Sequence, residues 1–136
     1  MIITTKRTVP YVLRRERELP REQQTTFHLR ALTNSQRFSL LDMNTVQGGS
    51  ASLRGGTMAQ TALRIGLAGW DNLADENGSQ VAYAATPGKT LIHGVTADSP
   101  ATEDTINRLP WEAAEELVDA IMNGMTLDQV DAKKSS

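Results

Sequence analysis

Thr25-Thr26-Phe27-His28-Leu29-Arg30-Ala31-Leu32-Thr33-Asn34-Ser35-Gln36 decides the fold class, because two periods meet inside it. Up to Leu32 the side chains alternate. Phe27, Leu29 and Ala31 fall on one face and Thr26, His28 and Arg30 on the other, the period of a half-buried strand. At Thr33 the pattern changes to Thr33-x-x-Gln36, a capping box. Its hydroxyl accepts from the backbone N–H three residues on, and the Gln reaches back to the cap's own N–H. A strand that runs straight into a helix start predicts an α+β chain.

Reading outward towards the N-terminus, Val9-Pro10-Tyr11-Val12-Leu13 predicts a second short strand. Pro10 has no backbone donor, so this strand should start or edge a sheet. Residues 14–24 are polar and Pro20 breaks any helix there, which predicts an antiparallel hairpin with a long connection. Reading towards the C-terminus, Thr33 predicts a helix over about Asn34–Val46 that buries Phe38, Leu41 and Met43. Thr57-x-x-Gln60 predicts a second helix over about Met58–Ala68, with Ala59, Ala62, Leu63 and Leu67 on its stripe and Gly69 in its left-handed terminal turn. Thr126-x-x-Gln129 predicts a short third one over Leu127–Ala132. The strongest periodicity lies at Pro110–Asn123, where Trp111, Ala114, Leu117, Val118, Ile121 and Met122 form a continuous apolar stripe. Pro110 suits a first helical turn, and Glu112, Glu115 and Glu116 favour the positive end of the helix dipole.

Two weaker regions separate these helices. Gln47–Gly56 (QGGSASLRGG) is expected to be a mobile loop. Residues 79–95 hold two β-leaning runs, Val81–Ala84 and Thr90–Val95, with Pro87-Gly88 as the turn of an inserted hairpin. The expectation is therefore one domain over 1–132. It comprises a basic strand arm (1–32) and a mainly helical body (33–132) with the small hairpin at 79–95, followed by a disordered tail at 133–136.

Composition narrows the function classes. The 136 residues contain no cysteine, which excludes disulfides and thiolate chemistry. No apolar run has the length of a signal peptide or of a membrane span, so a cytoplasmic location and no membrane partner are expected. The net charge of −2 is unevenly spread. Lys6, Arg7, Arg14, Arg15, Arg17, Arg21, Arg30 and Arg37 face only Glu16, Glu18 and Glu22 within the first 37 residues, and the rest of the chain is acidic. Such a distribution predicts either that the two ends attract each other or that the arm contacts an anionic partner. Nucleic acid is disfavoured, because the acids interleaved with Arg14-Arg15-Glu16-Arg17 weaken the field and Tyr11 is the lone aromatic beside it.

No catalytic, cofactor or metal constellation emerges. Gly88-Lys89-Thr90 resembles the end of a phosphate loop, but the glycine required five positions earlier is Tyr83, and the residues that follow read as strand. Asp71–Gly78 fails as a calcium loop: with Gly78 at its sixth position, Leu73 and Ala84 occupy the first and last ligand places. His28 and His93 are far apart, with no nucleophile motif nearby. The expectation is a non-enzymatic binding protein.

The order of elements resembles small proteins from the structural gene blocks of tailed bacteriophages, and in particular the phage tail assembly chaperones. The similarity is carried by Val9–Leu13, Glu18-Leu19-Pro20, Gln24–Thr33, Leu63–Leu73, Leu109-Pro110-Trp111-Glu112 and Met125-Thr126-Leu127. It implies a protein of the bacterial host's cytoplasm that coats the apolar, helical tape-measure protein and recruits tail-tube subunits during tail morphogenesis. Homo-oligomerisation is open. The surface that would do this is the stripe of Trp111, Leu117, Val118, Ile121, Met122 and Met125, aided by Arg14, Arg15 and Arg17. Against it stands the ordinary use of an amphipathic stripe, which is to face the core. The alternatives are a permanent virion component (a head–tail connector or minor tail protein) and a small regulator that binds a host protein.

Overall fold

β1 (Thr8–Tyr11) runs antiparallel to β2 (Thr26–Arg30) in the computed structural model, which describes residues 8–46 and 56–123. Two 3-10 turns, Arg14–Glu16 and Arg21–Gln23, make the long connection. Tyr11 lies opposite Phe27 and Val9 opposite Leu29 on the inner face, while Pro10 lies opposite His28 on the outer one. β1 is an edge strand, as a proline strand should be. Phe27 and Leu29 are buried, but Ala31 is exposed and Leu32 takes the inward place, because the strand ends at Arg30 and the alternation ends with it.

The capping box at Thr33 is formed in both directions. The Gln36 N–H donates to Thr33 Oγ1 at 3.1 Å, and the Thr33 N–H donates to Gln36 Oε1 at 2.9 Å. It opens α1 (Asn34–Val46). The face of this helix corrects the expectation. Leu40 is fully buried and Met43 packs against the core, but Phe38 is 65% exposed and Leu41 47%. Apolar residues at 38, 40, 41 and 43 cannot share one face at 3.6 residues per turn, and packing selects Leu40.

α2 (Gly56–Gly66) starts one residue ahead of Thr57, which therefore lies within the helix. It ends earlier than expected, and the chain passes directly into β3 (Leu67–Asp71). β3 pairs antiparallel with β2 and makes the sheet three-stranded, in the order β1-β2-β3. Leu67, Ala68 and Gly69 are thus not the last turn of a helix. Leu67 lies opposite Leu29 and Trp70 opposite Phe27, both inward, because a bulge beside His28 and Leu29 inserts Ala68. The bulge gives a strand the three-residue apolar spacing of a helix.

The inserted hairpin is real but displaced. β4 (Lys89–Ile92) and β5 (Val95–Asp98) pair through a turn at His93-Gly94, not at Pro87-Gly88. Both turn residues have positive φ, 49° and 84°, as a two-residue turn matched to the strand twist requires. Val81–Ala84 forms no strand, although its neighbours make isolated bridges, Ala74 to Gln80 and Ala85 to Ala101.

A short α3 (Glu103–Asn107), which the sequence did not announce, is capped by Thr102, whose hydroxyl accepts from the Thr105 N–H at 3.1 Å. α4 (Trp111–Met122) follows, with Pro110 as its N-cap. The core gathers Phe27 from the sheet, Leu40 from α1, Ile65 from α2 and Leu117 from α4 around one centre. α2 and α4 approach closely at Gly66, where a Cβ would stand 2.6 Å from Ile121 Cγ2. Met125 and the helix expected over Leu127–Ala132 lie outside the described residues, as do the tail at 133–136 and nearly all of the 47–56 loop.

Candidate binding surfaces

The stripe on α4 is where the sequence placed a partner, and the fold turns most of it inward. Leu117, Val118 and Ile121 are at most 5% exposed, Met122 and Ala114 pack against the same core, and Trp111 alone stands out at 72%. Ala113 and Ala120 complete the buried side. A partner has no access to Leu117, Val118 or Ile121 while the fold is intact, so these three residues build the core.

The basic arm finds its acids inside the chain. Tyr11 Oη donates to Glu116 Oε2 at 2.6 Å, and the Arg14 backbone N–H donates to the same oxygen at 3.0 Å. Arg15 Nη1 lies 3.0 Å from Glu112 Oε2. Arg17 donates from Nε to the Val12 carbonyl, and its guanidinium lies 5.3 Å from the centroid of the Tyr11 ring. Burial, with the Glu116 carboxylate next, pushes the Tyr11 hydroxyl up to about 12. The acidic first turns of α4 thus hold the arm, which is the self-attraction that the charge asymmetry allowed. Arg15 and Arg17 are engaged within the chain, and the Arg14 side chain is exposed.

The polar motifs resolve into local structure. His28 Nε2 lies 2.8 Å from Asp71 Oδ2 on the outer face of the sheet, and His93 occupies the β4–β5 turn. Asp75 Oδ1 accepts from the N–H groups of Asn77 and Ser79, so the acidic loop is organised as a turn. Gly88 leads into a strand, so the Gly88-Lys89-Thr90 backbone does not cradle an anion. Among the described residues, no three His, Asp or Glu side chains are grouped to hold a metal. A cleft between β1, β2 and α4, lined by Val9, Tyr11, Leu29 and Ile121 among others, has a volume of about 10 Å³, room for roughly one water.

Other contacts escaped the sequence reading. Trp70 stacks edge-on with Phe27 and Tyr83, and its indole N–H donates to the Val81 carbonyl. Tyr83 Oη donates to the Leu67 carbonyl, and burial raises its pKa. Thr105 Oγ1 donates to the Ala84 carbonyl and accepts from the Ala84 N–H. These bonds dock the non-regular segment 81–84 on β3 and α3, in place of the strand expected there.

Besides Trp111 at the start of α4, α1 carries two exposed apolar side chains. Phe38 and Leu41 are three residues apart and so are neighbours on its outward side, with Asn34 one turn before. The signal was present in the sequence as a surplus of apolar positions for one helix face. Only packing shows which of them lie outside.

Comparison with family models, with curated proteins and with solved structures found no match to this chain.

Proposed function

We propose that the protein is a non-enzymatic assembly chaperone of a phage tail, one that binds an apolar helix of the tape-measure protein and presents it to tail-tube subunits. The observation that carries this reading is the outward flank of α1, where Phe38 stands 65% exposed with Leu41 beside it at 47%. An unassembled apolar helix exposes surface that costs about 25 cal/mol per Å² in water. A helix flank that offers a large aromatic and a leucine one turn apart covers such surface reversibly. The resemblance of the element order to phage tail chaperones supports the choice of partner. Because the stripe of α4 forms the core, we assign the docking surface in this proposal to α1.

The test is co-expression with a phage tape-measure protein, followed by affinity capture. The wild-type chain is expected to retain the tape-measure protein. Phe38→Asp is expected to lose it while keeping its circular dichroism spectrum and thermal midpoint. Absence of capture by the wild-type chain overturns the reading. Detection of the chain in fixed copy number in purified particles would instead make it a permanent virion component.

A further inference from the structure

The two edges of the β4–β5 hairpin are finished differently. In a two-residue hairpin Ile92 and Val95 form a hydrogen-bonded pair, so the Thr90–Ala97 pair is hydrogen-bonded too, and the bond from Ser99 N–H to the Gly88 carbonyl continues that alternation. The backbone groups of Lys89 and Leu91 on β4, and of Thr96 and Asp98 on β5, therefore point away from the hairpin. On β5 the outward carbonyls are taken: Gln36 Nε2 donates to Thr96 O at 2.8 Å, and Arg30 Nη1 donates to Asp98 O at 3.2 Å. On β4, no described group meets those of Lys89 and Leu91. Leu91 is also 69% exposed, the most exposed large hydrophobic side chain on the described strands.

We propose that this edge of β4 pairs antiparallel with the same edge of a second copy, about a two-fold axis at Thr90. The register is self-complementary. Lys89 of each copy faces Leu91 of the other, and each such pair shares two backbone hydrogen bonds, so all four outward groups of each strand are satisfied. Across the outer face of the joined sheet the order runs Asp98, Lys89, then the other copy's Leu91 and Thr96. The aliphatic stem of Lys89 covers the exposed Leu91, as lysine stems do. Asp98 lies opposite Lys89 within each hairpin, so no like charges stand directly opposite each other across the joint. Lysine on a short edge strand usually guards against pairing. Here its charge is balanced by Asp98, and the joint is small, which makes the dimer dependent on concentration. This inference does not rest on the chaperone reading.

Sedimentation velocity on the full chain, from micromolar concentration to its solubility limit, tests it. The expected result is a shift from monomer to dimer with concentration, abolished by Leu91→Pro, which removes an outward donor. Should that variant fail to fold, the cysteine-free chain allows a second measurement. Thr90 and its copy form a close non-hydrogen-bonded pair, about 4.5 Å between Cα atoms, within disulfide range. Thr90→Cys is therefore expected to form a disulfide dimer several-fold faster than Lys89→Cys. A chain that is monomeric throughout leaves the edge to a strand of some other protein and overturns the proposal. So does a dimer that Leu91→Pro leaves intact, or equal linkage rates for the two cysteine variants.

Discussion

α4 and α1 both carry runs of apolar residues, and the fold treats them in opposite ways. On α4 the residues Ala113, Leu117, Val118, Ala120 and Ile121 line one side and all are buried, which leaves Trp111 outside. On α1, among residues 34–43, Leu40 alone is fully buried, and Phe38 and Leu41 face out. The difference lies in phase. A stripe in register with the helical repeat has a single way to bury itself. A run such as Phe38-Ser39-Leu40-Leu41 gives a helix two rival apolar sides, and the neighbouring elements choose between them. For α1 those neighbours are α2 and β5, and Leu40 is the residue that ends up buried.

Substitutions can break that contrast. Leu117→Ala, at the centre of the core, is expected to cost about 2–5 kcal/mol, read by urea denaturation. Phe38→Ala should stay within about 0.5 kcal/mol, as an exposed position does. Equal losses at the two sites would mean that α1 and α4 do not differ as described. Next in size is Gly66→Ala at the α2–α4 contact. A helical glycine replaced by alanine ordinarily gains up to about 1 kcal/mol. Here the new Cβ meets buried Ile121 at 2.6 Å, so a net loss of about 1–3 kcal/mol is expected from overpacking. Combining it with Ile121→Ala should recover part of that loss, visible as a non-additive double-mutant cycle.

Smaller effects probe how α4 holds the arm. Tyr11→Phe removes the donor to Glu116 and should cost about 1–2 kcal/mol. The same pair sets an alkaline limit. The hydroxyl titrates at about 12 in the fold against 10.0 when free, so its protonated form is favoured by folding. That contribution is complete below pH 10 and is lost as pH rises towards 12. Unfolding free energy measured across this window should fall in the wild type and less steeply in Tyr11→Phe. The smallest change is expected for Arg15→Ala, whose pairing with Glu112 is solvent-exposed. A loss of about 0.5 kcal/mol or less, shrinking with added salt, is the expected result.

The places where reading and structure part company have physical causes. The turn at His93-Gly94 was hidden because it lacks the Asn-Gly or Asp-Gly pair that marks such a turn, while Pro87-Gly88 is a strong turn pair. β3 was hidden because its bulge gives Leu67 and Trp70 a helical spacing. The candidate surface was hidden because exposure is not a property of a residue type. Phe38 and Leu117 are equally apolar in sequence, and only one is covered.

What the sequence by itself determined is local. It includes the period-two strand at Thr26–Arg30, the capping box at Thr33, the edge position of the proline strand and the stripe of α4. Each follows from the spacing of side chains along a few turns or a few residues of strand, and from hydrogen bonds that close within four residues. The absence of cysteine and the split of charge between arm and body were equally legible. Tertiary structure alone decided that Leu67–Asp71 joins the sheet, that Glu112 and Glu116 receive the arm, and that Phe38 and Leu41 of α1 face solvent while Leu117, Val118 and Ile121 of α4 do not. These outcomes depend on contacts between residues far apart in the chain, and burial belongs to the packed whole, not to any segment of it.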